Sequence, residues 1–184
     1  MSVPDVPGVL LLCLDLQAPF LEAIPQAEAA LKRTALAIAA AELTGVPVAF
    51  TEQVPAKLGP TRAELLRLAP AAETYPKSTF SALADEVLQQ ALQERKIEHL
   101  LLCGIETPIC VYQTAIDALN DSLQVTVLAD AVAGRRPEDG RVALEALARA
   151  GVHVLPVETV FYALLRDARH PAFKRFTELV KRHV

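Results

Sequence analysis

The chain alternates between short, continuously apolar runs and longer stretches in which apolar residues recur every three or four positions. Such runs are typical of parallel strands buried on both faces, and the longer stretches are typical of covering helices. The pattern predicts strands at Val9–Asp15, Val46–Thr51, His99–Cys103, Val125–Asp130 and Val152–Pro156. It predicts helices at Gln26–Thr44, Leu83–Arg95, Pro108–Leu119 and Pro137–Ala150. This alternation favours an α/β fold built on a mainly parallel sheet of five or six strands.

The connecting segments are predicted from their glycine and proline content. Gly45 and Gly151 each follow a predicted helix, where a left-handed residue commonly ends it. The segments Val54–Pro60 and Pro70–Ser81 are interpreted as loops at the rim of the sheet. The segment Thr159–Val184 has a helical pattern broken at His170–Pro171, and it is expected to pack either on its own domain or on a partner subunit.

Composition narrows the class of protein. A chain of 184 residues with 52% hydrophobic content is expected to form one domain over residues 1–184. Its 18 basic and 22 acidic side chains give a net charge of −4 without a basic run, so no nucleic-acid partner is expected. No run reaches the roughly 18 apolar residues of a membrane span, and no basic region precedes the first apolar run, so no signal peptide is expected. The three cysteines show no CxxC spacing, so a reducing, cytoplasmic location is expected.

Polar residues collect where the predicted strands end, which is where open parallel sheets bind their ligands. Asp15 and Gln17 follow the first strand, Thr51–Gln53 close the second, and Gly104–Cys110 follow the third long one. Lys77 lies in a rim loop. Taken one at a time, Asp15 is either a catalytic or ligand-binding carboxylate or a turn former, and Lys77 is either functional or simply solvated.

Cys110 is the candidate nucleophile among the cysteines. Thr107 is predicted to cap a helix that begins at Pro108, which places Cys110 in the first turn. The positive end of the helix dipole would then lower the pKa of the thiol from about 8.5. The alternative is a cysteine that is merely packed at a helix start. Cys13 and Cys103 lie inside apolar strands and are expected to be unreactive.

Together these segments resemble a known family, the isochorismatase-like cysteine hydrolase superfamily, over nearly the whole chain. The resemblance is carried by Asp15–Gln17, by Tyr75–Ser81 (YPKSTFS), and by Gly104–Val111 (GIETPICV) leading into Gln113–Ala118 (QTAIDA). Three further segments are similar to the isochorismatase domain-containing branch: Thr51–Pro55 (TEQVP), Leu58–Thr61 (LGPT) and His170–Lys174 (HPAFK).

The resemblance implies a Rossmann-like, three-layer α/β/α fold and a catalytic triad of Asp15, Lys77 and Cys110. In these roles Asp15 is the general base, Lys77 favours the thiolate and keeps the aspartate ionised, and Cys110 attacks a carbonyl to give a thioester. It also implies a cis peptide between Ile105 and Glu106, with the backbone N–H groups of Glu106 and Cys110 forming an oxyanion hole.

Departures from relatives narrow the expected reaction. Nicotinamidases of the superfamily carry an aspartate and two histidines after the second strand, and these residues hold a metal. This chain has Thr51–Lys57 (TEQVPAK) there, without a histidine, so neither a catalytic metal nor another cofactor is expected. Isochorismatases lack the nucleophilic cysteine, so a small amide or related acyl substrate is favoured over a vinyl ether. A non-catalytic binding or scaffold protein is the remaining alternative. Phe20, Gln53 and Thr79 are expected to line the substrate pocket, and the family implies a homo-oligomer.

Overall fold

The computed structural model describes residues 6–183, in which six strands form one parallel sheet. The strands are β1 Val9–Leu14, β2 Val48–Gln53, β3 Glu73–Lys77, β4 His99–Ile105, β5 Gln124–Ala133 and β6 His153–Leu155. Their order across the sheet is β3-β2-β1-β4-β5-β6, and all neighbouring pairs are parallel. This is the order of a doubly wound sheet, whose winding reverses between β1 and β4. The predicted Rossmann-like α/β fold is therefore confirmed.

Helices cover both faces of the sheet. They are α1 Ala18–Glu22, α2 Ala27–Thr44, α3 Pro55–Leu58, α4 Ala63–Leu66, α5 Glu86–Glu94, α6 Tyr112–Asn120, α7 Pro137–Arg149, α8 Val157–Leu165 and α9 Phe173–Arg182. A 3₁₀ turn at Ala82–Ala84 precedes α5, and a π-helical turn at Thr107–Val111 runs into α6. The glycines expected to end two helices, Gly45 and Gly151, have φ angles of 75° and 101°.

Successive side chains of each central strand enter different cores. In β1, Leu11 and Cys13 face the core beneath α2, α8 and α9, whereas Leu12 and Leu14 face the core beneath α5, α6 and α7. A strand buried on both faces needs apolar residues at every position, which explains the continuous runs in the sequence. These two buried layers hold the strand ends, and therefore the site, in fixed positions.

The C-terminal segment packs on its own chain. Phe176 of α9 is fully buried, and its ring centroid lies 6.0 Å from that of Phe161 in α8. The irregular break predicted at His170–Pro171 separates α8 from α9. Of the two interpretations of this tail, the structure therefore supports packing within the domain.

Both predicted rim loops contain regular structure. The segment Pro70–Ser81 includes β3, an edge strand paired only with β2 among the described strands. Only Tyr75 and Lys77 of β3 are buried, so this strand does not need the continuous apolar run of a central strand. Pro76 is tolerated because an edge strand can lack one N–H donor. The segment Val54–Pro60 contains the single turn α3. Interpreting both segments as loops was therefore wrong.

Candidate active site

The carboxyl ends of β1, β3 and β4 bring three ionisable side chains together, those of Asp15, Lys77 and Cys110. Asp15 follows β1 with a φ of 55°, and its backbone N–H donates to the carbonyl of Thr51 in β2 over 3.1 Å. Lys77 is the last residue of β3, and Cys110 lies in the π-helical turn after β4. This is the switch point of the sheet, where doubly wound folds form their ligand crevice.

Asp15 and Lys77 form a buried ion pair. Lys77 Nζ lies 2.7 Å from Asp15 Oδ2, and each side chain is 1% exposed. The other oxygen, Oδ1, accepts a hydrogen bond of 2.7 Å from the hydroxyl of Thr51. A buried charge is tolerated when it is paired and its remaining hydrogen-bonding capacity is used, and both conditions hold for this carboxylate.

The Lys77 ammonium is enclosed by further acceptors. It donates to Gln53 Oε1 over 2.6 Å and approaches the backbone carbonyl oxygens of Thr79 and Phe80 at 3.1 and 3.3 Å. Its distance to the sulfur of Cys110 is 3.9 Å. An ammonium has three protons, so these contacts saturate it and fix its position between Asp15 and Cys110.

Cys110 is buried beside this pair, and its thiol is harder to ionise than expected. Burial, followed by the negative charge of Asp15, raises the pKa of Cys110 to about 12, against the opposing effects of Lys77 and the backbone N–H of Glu106. The expectation that a helix dipole would lower this pKa was therefore wrong, because desolvation and a neighbouring carboxylate dominate. With this pKa Cys110 is a neutral thiol at physiological pH, and Asp15 is in contact with it.

The turn that carries Cys110 differs from the predicted helix start. The carbonyl of Glu106 accepts hydrogen bonds from the N–H groups of Ile109 and Val111, at 3.1 and 3.2 Å, in a widened π-helical turn. Glu106 occupies the cap position, and Thr107 makes no capping hydrogen bond with its side chain, so the predicted Thr107 cap was wrong. The Ile105–Glu106 peptide is cis, as the resemblance implied.

Gly104 allows β4 to approach β1 closely just before this turn. Its φ is +116°, and a Cβ placed there would lie 2.1 Å from the carbonyl oxygen of Leu14. The pairing between β4 and β5 also shifts register between Leu102 and Gly104. Glycine is therefore the residue that lets the end of β4 lie against β1 without a backbone clash.

The two remaining cysteines lie away from the pocket in the sheet core. Cys13 and Cys103 are both fully buried on paired positions of β1 and β4, with their sulfur atoms 3.4 Å apart. Burial raises the pKa of Cys13 well above its usual value. Both are free thiols enclosed by apolar side chains, which is the environment expected for unreactive cysteines.

A pocket of about 250 Å³ opens directly onto Cys110. Its apolar wall consists of Phe20, Phe80, Ile105 and Ile109. Its polar lining consists of Gln53, Glu106, Cys110 and Arg135. The volume is below the range of about 300–1,000 Å³ that is typical of drug-sized ligands, so the pocket fits a small molecule with an apolar portion.

The structure brings two of the three expected wall residues, Phe20 and Gln53, to the pocket. Thr79 does not line it: its backbone carbonyl faces Lys77, and its hydroxyl donates to the carbonyl of Ser81. Phe80, the next residue, occupies the wall and is 56% exposed. The expectation for Thr79 failed because the chain turns after β3. The turn directs the carbonyl of Thr79 towards Lys77 and places the ring of Phe80, one residue later, in the pocket wall.

Arg135 is a pocket residue that sequence reasoning missed. Its Nε donates to both carboxylate oxygens of Glu106, at 2.9 and 3.1 Å, and its backbone N–H donates to Oε2 at 3.0 Å. The sequence does contain a feature that points to Arg135, because this residue follows the carboxyl end of β5, as other site residues follow the ends of their strands. The predicted end of that strand at Asp130 was too early, since β5 continues to Ala133.

The described residues lack two further kinds of feature. Over residues 6–183, no group of three or more His, Cys, Asp or Glu side chains is arranged to hold a metal ion. Over the same residues, no helix combines the length and apolar character that crossing a membrane requires.

Comparison with known sequences identifies the family. The family model of the isochorismatase domain matches residues 9–159. A secreted isochorismatase effector from Phytophthora sojae is 36% identical over 183 residues, covering 96% of this chain and 86% of the relative. Isochorismatase domain-containing protein 2 of Bos taurus is 42% identical over 142 residues, covering 77% of this chain and 68% of the relative. The chain therefore belongs to the isochorismatase family.

Comparison with solved structures supports the same fold. A MAR1 ribonuclease from Caenorhabditis elegans superposes with a TM-score of 0.89 at 29% identity, covering 97% of this chain and 93% of the other. The YcaC gene product of Escherichia coli, described as an octameric hydrolase of unknown specificity, superposes with a TM-score of 0.90 at 21% identity. This match covers 100% of this chain and 92% of the other. The chain thus shares the three-layer α/β fold of these neighbours.

Proposed function

We propose that this protein is a metal-independent cysteine hydrolase that cleaves a small amide or related acyl compound through a thioester on Cys110. The observation that carries the proposal is the contact of one buried thiol with both members of a buried Asp15–Lys77 pair, at the floor of a small pocket. Nucleophile, base and a fixed positive charge are the groups that acyl transfer needs.

The steps follow from the positions of these groups. Asp15 accepts the proton of the Cys110 thiol as the sulfur forms a bond to the carbonyl carbon of the substrate. The proton then passes from Asp15 to the leaving nitrogen, the C–N bond breaks, and an amine or ammonia departs from a thioester. Water gives a proton to Asp15 and attacks the thioester. The C–S bond breaks, the proton returns to sulfur, and a carboxylic acid is released.

The raised pKa of Cys110 assigns a specific task to Asp15. Because the thiol is neutral at physiological pH, attack requires the proton to be transferred as the bond forms. Lys77 then lies 3.9 Å from a sulfur that is becoming negative, and its charge favours that change. In this proposal the backbone N–H groups of Glu106 and Cys110 stabilise the oxyanion.

An RNA substrate, such as the name of one structural neighbour suggests for that neighbour, is not favoured here. Proteins that bind single-stranded nucleic acid combine a basic groove with aromatic stacking platforms. This chain has a net charge of −4, and its pocket contains one cationic side chain, which is paired with Glu106. A small-molecule substrate is consistent with the pocket volume.

Location and assembly form part of the same proposal. Three free thiols suit a reducing compartment, so we place the enzyme in the cytoplasm, although one relative is described as secreted. We also propose a homo-oligomer. The octameric neighbour and the exposed Phe80 at the mouth of the pocket support an assembly in which another subunit borders the site.

The decisive experiment combines turnover with detection of the intermediate. A panel of small aliphatic and aromatic amides is screened for release of ammonia, and intact-protein mass spectrometry records an acyl adduct on Cys110. Replacement of Cys110 by Ser is expected to lower turnover by about 10³-fold or more and to abolish the thioester, whereas Cys103→Ala retains both. Amide turnover without an adduct, with full activity of Cys110→Ser, would contradict the proposal, and hydrolysis of a vinyl ether but of no amide would support an ether hydrolase. Complete absence of turnover would support a binding protein.

A further inference from the structure

The polar groups that line the pocket differ in how much hydrogen-bonding capacity they have left. Gln53 has both ends of its amide engaged, since Oε1 accepts from Lys77 and Nε2 donates to the carbonyl of Ser78 over 2.9 Å. Both carboxylate oxygens of Glu106 accept from Arg135. Cys110 and the adjacent backbone are assigned to the reacting carbonyl. The group with the most unused hydrogen-bonding capacity for recognising the rest of a substrate is the guanidinium of Arg135.

Arg135 is held in place by one edge and open at the other. Its Nε and its backbone N–H are bound to Glu106, whose side chain is only 10% exposed, while the Arg135 side chain is 60% exposed. Among the described residues, the two terminal nitrogens of Arg135 have no hydrogen-bond partner. A guanidinium has five N–H donors in a planar fork, so the four donors on the terminal nitrogens of Arg135 remain available to a ligand.

The other charges near the pocket do not compete for an anion. The ammonium of Lys77 is enclosed by Asp15, Gln53 and two backbone carbonyl groups. Arg136, the next residue in the chain, is bound to Asp139 and does not line the pocket. Binding a carboxylate end-on to a guanidinium is the bidentate geometry for which arginine is suited.

We propose that Arg135 is the specificity-determining residue of this site and that the substrates are small amides carrying a carboxylate at the end away from the reacting carbonyl. This inference rests on the proposed function for its amide chemistry. The apolar wall of Phe20, Phe80, Ile105 and Ile109 then contacts the short carbon segment that joins the amide to the carboxylate. Glu106 acts as a positioning residue that holds the guanidinium at the mouth of the pocket.

The first test compares amides with and without a terminal carboxylate on the same carbon chain. Propionamide and butyramide are paired with the monoamides of succinic and glutaric acid, and kcat/KM is measured for the wild type, Arg135→Gln, Arg135→Lys and Arg136→Gln. Arg135→Gln retains a donor for Glu106 but loses the charge. We expect it to lower kcat/KM for the carboxylated amides by about 10- to 100-fold and for the neutral amides by less than about 3-fold. Arg136→Gln leaves both unchanged.

Two further observations belong to this comparison. Arg135→Lys is expected to recover part of the preference, because a lysine restores the charge without the planar fork. Raising the ionic strength is expected to reduce the preference of the wild type for the carboxylated amide. Equal losses for charged and neutral amides in Arg135→Gln would overturn the inference, since they would indicate damage to the site and not the loss of anion recognition.

The second test requires no turnover and so separates this inference from the proposed function. Iodoacetate and iodoacetamide both alkylate thiols, and they differ in that the first carries a carboxylate where the second carries a carboxamide. Cys13 and Cys103 are fully buried in the sheet core, so a single adduct reports modification of Cys110. The ratio of the iodoacetate rate to the iodoacetamide rate should fall several-fold in Arg135→Gln and stay unchanged in Arg136→Gln. An unchanged ratio in Arg135→Gln overturns the role of Arg135. If no amide is hydrolysed while the ratio falls, the proposed reaction fails and the anion site stands.

Discussion

Replacement of Asp15 by Asn should change the reactivity of Cys110 and the turnover of the enzyme in opposite directions. After burial, the carboxylate of Asp15 is the largest cause of the raised pKa of Cys110, through its charge and its hydrogen bond with the thiol. The asparagine removes that charge and leaves the ammonium of Lys77 without its opposing partner at 2.7 Å. The pKa of Cys110 should therefore fall towards its ordinary value.

The size of the effect follows from the thiolate population. With a pKa of about 12, the thiolate fraction of Cys110 at pH 8 is about 10⁻⁴, whereas an ordinary cysteine with a pKa near 8.5 is about one quarter ionised. Nucleophilicity falls with pKa with a slope of about 0.4–0.5, so the wild type should be alkylated about 50-fold more slowly than a free thiol. Each unit by which the pKa falls should accelerate alkylation about 3-fold.

The assay is the pseudo-first-order rate of iodoacetamide modification, measured by intact mass from pH 6 to pH 10. Asp15→Asn should be alkylated about 3- to 10-fold faster than the wild type at pH 8. Its amide turnover should fall about 10²- to 10⁴-fold, because the general base is lost. Asp121→Asn makes the same chemical change at an exposed position and should alter neither. Slower alkylation of Asp15→Asn would refute the assigned cause of the raised pKa.

Two predictions concern stability. Lys77→Met leaves the buried Asp15 carboxylate without its cation, so the free energy of unfolding from urea titration should fall by about 3–5 kcal/mol, and the double variant Asp15→Asn/Lys77→Met should regain part of it. A double variant no more stable than Lys77→Met would argue against the charge pairing. Gly104→Ala places a Cβ 2.1 Å from the Leu14 carbonyl oxygen and should cost more than about 4 kcal/mol, whereas Gly151→Ala, with open space around it, should cost only about 1–2 kcal/mol for its positive φ. Similar losses for the two glycines would indicate that backbone conformation, and not the close approach of β1 and β4, makes Gly104 necessary.

The sheet was predictable wherever burial on both faces forces continuous apolar sequence, as in β1 and β4. It was not predictable at β3, because an edge strand buries only alternate positions and here supplies just Tyr75 and Lys77 to the interior. This difference matters for the site, since Lys77 is the last residue of β3, the strand that the sequence does not predict.

The site was predictable in its members and less so in its electrostatics. The positions of Asp15 and Cys110 can be predicted from the strand ends. The pKa of Cys110 depends instead on how closely the Asp15 carboxylate approaches and how completely water is excluded, and local sequence determines neither. Arg135 was missed for a different reason. Its strand runs past Asp130 with a change of register against β4, which shifts the strand end by several residues.

The saturated ammonium of Lys77 affects when the free energy of orienting dipoles around Cys110 is spent. In water, a cation that stabilises a developing anion must first reorient the solvent around it, and that reorganisation contributes to the barrier. Here the three protons of Lys77 are already committed to Asp15, Gln53 and the carbonyl groups after β3. The orientation of the dipoles around Cys110 was therefore set once, when β2 and β3 closed against β1, and it does not have to be set again for each substrate molecule.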